Sequence, residues 1–146
     1  MKIIIITGKI GTGKTTTASI VRTLGYNVFE SDKITRHLYK KLFIKENIKK
    51  IFKNKVKNLF SSNDEIDLKK LGDFVFKRTD ELKKLENILH PAIISEKTKF
   101  LKLSFINRRK LIFLDIPLFF KSTFSYRHDY VINLFVNKEV QKRRVL

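Results

Sequence analysis

Residues Gly8-Lys9-Ile10-Gly11-Thr12-Gly13-Lys14-Thr15 match the spacing G-x-x-x-x-G-K-[ST]. With this composition the spacing should arise by chance in roughly 0.3% of such chains, so it carries information. The chemistry it suits is the grip of a nucleotide's phosphates. Glycines let backbone N–H groups turn inward around the phosphates without a Cβ in the way. A helix opening at the end of the loop adds the positive end of its dipole. Lys14 can reach the β and γ phosphates, where it would also serve the chemical step, and the Thr15 hydroxyl can bind Mg²⁺. Thr16 would sit near the α phosphate. The expected ATP-binding residues are therefore Gly8, Gly11, Thr12, Gly13, Lys14, Thr15 and Thr16.

Two acids stand where such a loop needs them. Asp115 ends the apolar run Leu111-Ile112-Phe113-Leu114. An acid at the C-terminal end of a buried strand fits a position that orients Mg²⁺ or its water. A capping or turn role is the alternative. Asp32 comes just after a short strand, Asn27 to Glu30. In an open parallel sheet, ligands bind beyond the carboxyl ends of the strands, so Asp32 would face the phosphate loop. There it could hold an acceptor hydroxyl and take its proton. The alternative is an N-cap for the helix that follows, from Ser31 or Asp32. Arg36, one helical turn on, could meet an acceptor phosphate or lie on a solvated face. The three histidines, His37, His90 and His128, are too dispersed for a metal motif.

These residues need a frame. Met1 to Thr7 reads as a buried strand and Lys14 to Leu24 as a helix stopped by Gly25. The pattern is helical from Lys33 to about Leu59. Asp67 can cap a helix running through Lys77. Asp80 to Leu89 is helical, His90-Pro91 interrupts it, and Pro91 starts another helix to about Ser104. Leu111 to Asp115 and Tyr130 to Val136 are strands, and Lys138 begins a helix. Strands alternating with helices imply an α/β fold with a parallel sheet between two helical layers. The long helical stretch in the middle looks like an inserted subdomain.

Composition narrows the classes. The 146 residues fit one domain with a small insertion. There is no cysteine, which excludes disulfides and thiolate chemistry. No apolar run approaches the roughly 18 residues of a membrane span. A soluble, cytoplasmic protein with no membrane partner is the expectation. Lys and Arg number 32 and Asp and Glu 14, for a net charge of +18. Such a charge attracts polyanions, and a basic nucleic-acid-binding protein is the reading from another class. Abundant Lys, Ile, Asn and Phe all have AT-rich codons and the lysines are scattered, so drift in base composition is the favoured source of the charge, which alone says little about partners.

The spaced motifs together resemble dephospho-CoA kinase. Ile6 to Thr17 is similar to that family's T-G-G-I-G-S-G-K-S-T loop. Leu24-Gly25-Tyr26-Asn27-Val28-Phe29-Glu30-Ser31-Asp32 resembles its L-G-x-x-V-I-D-A-D segment. Ile66-Asp67 through Val75-Phe76 resembles I-D-R-x-x-L-x-x-x-V-F, Leu89-His90-Pro91 matches L-H-P, and Asp115-Ile116-Pro117-Leu118-Phe119 resembles D-x-P-L-L. The resemblance implies the P-loop NTPase fold, with a kinase core at 1–32 and 105–146 and a helical CoA-binding insertion at 33–104. It implies ATP as donor, Mg²⁺ as cofactor and the 3′-hydroxyl of dephospho-CoA as acceptor, with no nucleic acid involved. Asp32 stands where the family has its base, and His90 is either a helix-end residue or, by the resemblance, part of the CoA-facing substrate surface. Three positions depart from the pattern: Glu30 for Asp, Leu68 for Arg and Lys121 for Glu. The family continues for about another quarter of its length beyond Leu146, through the lid and the closing strand and helix. Arg143-Arg144 resemble the start of the lid helix. An inactive remnant is the reading that this last departure adds.

Overall fold

Four consecutive isoleucines, Ile3 to Ile6, make the first strand apolar on both faces, and such a strand must be covered on both faces. The computed structural model describes residues 1–117, 119–121 and 126–145 and meets that demand. Leu118 and Leu146 lie outside the described residues, as does the side chain of Lys121. Strand β1 (Lys2–Gly8) sits inside a four-stranded sheet of order β2-β3-β1-β4, with β2 at Asn27–Glu30, β3 at Leu111–Asp115 and β4 at Tyr130–Leu134. All three pairings are parallel. The fold is α/β, as the alternation of elements predicts.

Alternation along the strands sorts the faces. Ile6 and Phe113 pack with Val21 of helix α1 (Lys14–Thr23), and Ile4 and Val28 join them. Phe29, pointing the other way, meets the ring of Phe100 at 5.5 Å, on helix α5 (Thr79–Ile106). One helix therefore covers each face. Register then aligns the carboxyl ends: Ile6 and Glu30 both lie opposite Asp115, and Gly8 lies opposite Leu134. The glycine-rich loop, Asp32 and Asp115 thus follow or end strands at one edge of the sheet.

At the opposite edge, Asp129 accepts from the Lys2 ammonium and the Ile3 amide, each at 2.8 Å. The Lys2 hydrogen bond, with help from the Ile3 N–H, holds the Asp129 carboxyl below its usual range. A depressed folded pKa means the stabilisation is present above the ordinary carboxylate range and lost as pH falls through the folded value. Asp129→Asn should lower Tm by a few degrees at neutral pH. The gap from the parent should close on acidification below about pH 4. A gap constant with pH in a series of thermal melts would contradict this.

The chain divides into two compact units, Met1–Asp32 with Lys97–Leu146, and Lys33–Glu96. The first contains the sheet, α1 and helix α6 (Lys138–Val145). Helix α5 runs through the division, so no loop marks it. The second unit packs most of helix α2 (Ser31–Leu38), helices α3 (Leu42–Phe52) and α4 (Leu68–Val75), and part of α5 around their own core. Ile44, Ile48 and Phe52 recur every four residues and are essentially inaccessible, so they form one stripe of α3. Phe52→Ala should cost about 3–5 kcal/mol of unfolding free energy. Urea denaturation monitored by far-UV circular dichroism would measure it, and a loss under about 1 kcal/mol would mean the site collapses without a cavity.

The helix expected from Lys33 to about Leu59 is broken at residues 39–41 and ends at Phe52. Lys40 and Lys41 donate three residues back, to His37 and Leu38, which tightens and ends α2. Leu38 and Ile44 both enter the core, yet six residues of continuous helix would turn them apart by about 240°. The break restores the phase. The interruption expected at His90-Pro91 is also absent, because Pro91 lies inside α5. Its ring nitrogen has no hydrogen for the Asn87 carbonyl. The helix continues because Leu85 and Leu89 before it and Ala92 and Ile93 after it pack on the same core. The cap expected at Asp67 is present, its carboxylate accepting from the Lys70 amide at 3.0 Å. Among the described residues, no helix is long and apolar enough to cross a membrane.

Candidate active site

The loop between β1 and α1 is shaped by what its glycines permit. A Cβ at Gly8 would meet the Leu134 carbonyl oxygen at 2.5 Å and the Thr12 hydroxyl at 2.7 Å, so only glycine fits there. Gly13 is the N-cap of α1, with φ +97°, a left-handed conformation natural to glycine. It brings no side-chain cap, so the first-turn N–H groups of α1 are open to an anion. Thr12 is spent on the loop itself: its hydroxyl donates to the Lys9 carbonyl at 2.7 Å and its amide to the same oxygen at 3.3 Å.

A cleft of about 690 Å³ opens above this turn. Residues Ile10 through Thr17, Asp32 and Arg144 line it. It gathers most of the expected site: Gly11, Thr12, Gly13, Lys14, Thr15, Thr16 and Asp32. Gly8 stands at the strand–loop junction. Asp115 is buried at the end of β3, opposite Ile6 and two residues short of the Gly8 level. Lys14 is half-buried, and its ammonium has no partner among the described residues. Asp32 is exposed in the first turn of α2, and its carboxylate likewise has no hydrogen-bond partner among them. It lies inside the helix, one position past Ser31, and caps nothing. Arg36 and His90 are outside this cleft, both on the second unit.

The uncapped N-terminus of α1 and an exposed carboxylate share one cleft. Residues 2–146 match the family model described as dephospho-CoA kinase. The chain belongs to the dephospho-CoA kinase family. The dephospho-CoA kinase of Fusobacterium nucleatum is 33% identical over 144 residues, covering 99% of this chain and 72% of the relative. A crystal structure from Thermus thermophilus superposes with a TM-score of 0.78 at 30% identity, covering 99% of this chain and 70% of that one. The dephospho-CoA kinase of Campylobacter jejuni gives a TM-score of 0.69 at 28% identity, covering 99% and 78%.

Within this dephospho-CoA kinase chain, two features escaped the sequence. The Gln141 side chain on α6 donates to the Ile10 carbonyl at 2.7 Å, and Arg144 Nη1 approaches the Gly11 carbonyl at 3.4 Å. Gln141 holds the loop from α6, and Arg144 does so from the wall of the cleft itself. No local signal marks these contacts: they follow from strand order, which sets β4 beside β1 and so starts the helix after β4 beside the loop after β1. The second feature is the pairing of Glu30, noted only as a departure, with Arg22 at 2.6 Å. Of the other departures, Leu68 opens α4 and is 42% exposed, away from the buried core.

Proposed function

We propose that this member transfers the γ-phosphoryl group of ATP to the 3′-hydroxyl of dephospho-CoA, giving coenzyme A and ADP. The observation that carries the reading is the shared cleft: Lys14, Thr15 and the open N-terminus of α1 line it together with Asp32. Backbone N–H groups of the loop and the Lys14 ammonium hold the triphosphate. Asp32 holds the acceptor hydroxyl and accepts its proton as the oxygen attacks the γ phosphorus. The bond from γ phosphorus to the bridging oxygen breaks, and ADP leaves with that electron pair. Arg36 and His90 serve the substrate side, from the helical unit that binds the CoA portion.

The donor set supports Mg²⁺. Thr15 and Asp115 offer one hydroxyl and one buried carboxylate, both hard oxygens. Among the described residues no group of three or more His, Asp or Glu gathers as a self-sufficient cation cage. A cation that keeps most of its waters and takes phosphate oxygens suits such a sparse set. When bound, it supplies neutralising charge to the β and γ phosphate oxygens.

A coupled ADP-release assay with and without dephospho-CoA tests the function. ADP release should depend on dephospho-CoA and match coenzyme A formed one for one. Release that ignores dephospho-CoA would leave an ATPase and sink the proposal.

A further inference from the structure

Arg22 lies in the last turn of α1. Side chains on a helix tilt toward its N-terminus, so Arg22 reaches toward the loop edge of the sheet. Its Nη1 donates to Glu30 Oε1 at 2.6 Å, with the Arg22 side chain 39% exposed and that of Glu30 10%. Glu30 is the last residue of β2 and shares a sheet face with Val28, which packs in the cluster with Val21 of α1. The register partner of Glu30 is Asp115, also buried. Parallel register partners project to the same face, so two buried acids stand side by side there. Neighbouring carboxylates in a poorly solvated place repel, and the Arg22 guanidinium supplies the compensating charge.

The chain turns directly from Glu30 into α2 at Ser31. Asp32 is therefore placed by the direction in which the backbone leaves β2. Its own carboxylate is exposed and has no hydrogen-bond partner among the described residues. Whatever steadies Asp32 must act through the backbone, and the nearest buried anchor is Glu30. The opposite end of α1 carries Lys14 and Thr15. The Arg22–Glu30 pair thus ties the helix that holds the phosphates to the strand that delivers Asp32.

We propose that Arg22 and Glu30 are positioning residues which hold Asp32 over the phosphate loop, and that Glu30 is not a second base. The inference rests on the reading of Asp32 as the base. It also explains the departure at position 30: the longer Glu side chain reaches a guanidinium on α1.

The test compares Arg22→Lys, Arg22→Met, Glu30→Gln, the double variant Arg22→Met with Glu30→Met, and Asp32→Asn, all in the full chain. Coupled ADP release gives kcat and KM, and equilibrium dialysis with Mg·ATP gives nucleotide affinity. A misplaced catalytic group should lower kcat about 10-fold in Arg22→Met and in Glu30→Gln, with ATP affinity within about 2-fold of the parent. Arg22→Lys should recover most of the rate because it restores the charge. The double variant should be no slower than Arg22→Met, since both changes remove one interaction. Parental kcat in Arg22→Met, beside a dead Asp32→Asn, would overturn the positioning role and leave the base reading standing. Glu30→Gln as slow as Asp32→Asn, with Arg22→Met near parental, would show Glu30 acting on substrate and overturn it too. Full activity in Asp32→Asn would remove the base reading and this inference with it. Should Arg22→Met lose its cooperative melt, Arg22→Lys and Glu30→Gln decide: parental kcat in Glu30→Gln overturns the proposal.

Discussion

Lys14→Ala should lower kcat/KM by about 10²–10³-fold, the usual effect of deleting one preorganised donor to a transferring group. The physical reason lies in where the ammonium is placed. Lys14 places an ammonium in the first turn of α1, where the helix dipole is already positive. It is half-buried and has no partner among the described residues. That arrangement is unfavourable until an anion arrives. Two results should therefore appear together. The ligand-free variant should melt at or above the parent's temperature, and the upward shift of Tm on adding Mg·ATP should largely vanish. Thermal melts with and without Mg·ATP, beside a rate measurement, read both. A variant with parental rate and a parental ATP-induced shift would mean the loop does not bind the phosphates.

Asp32→Asn should lower kcat by at least ~10²-fold while leaving ATP affinity nearly unchanged, as expected when a general base is removed. Asn keeps the size and the hydrogen bond to a hydroxyl but cannot take the proton. Fold effects should be small, because Asp32 is exposed and makes no side-chain hydrogen bond among the described residues. The measurement is kcat by ADP release and affinity by equilibrium dialysis. Equal losses in ATP binding and rate would move Asp32 from the acceptor to the metal.

The glycine-rich loop was legible because its constraint is local. Gly8 through Thr15 sit on consecutive residues, and the spacing itself dictates a turn of N–H groups opening a helix. The strands β1 and β3 were equally plain, since a buried strand needs an unbroken apolar run and Ile3 to Ile6 and Leu111 to Leu114 supply them. The Asp67 cap is local chemistry and was read correctly. Helix ends elsewhere were not. Pro91 reads as a break by its own chemistry, but packing of Leu89 on one side and Ile93 on the other keeps α5 whole. No glycine or proline marks residues 39–41, yet the need to bury both Leu38 and Ile44 ends α2 there.

By itself, then, the sequence determined the α/β class, the glycine-rich turn that opens α1 and the acids at two strand ends, because each is written in a short stretch of neighbouring residues. Only the tertiary structure decided that β3 lies between β1 and β2, which puts Glu30 beside Asp115. Only it decided that Arg22 reaches Glu30 across the α1–sheet interface and that Gln141 backs the loop from 131 positions away. Strand order and cross-element contacts depend on which apolar faces pack best together. That is a property of the whole chain's burial and leaves no mark in any single segment.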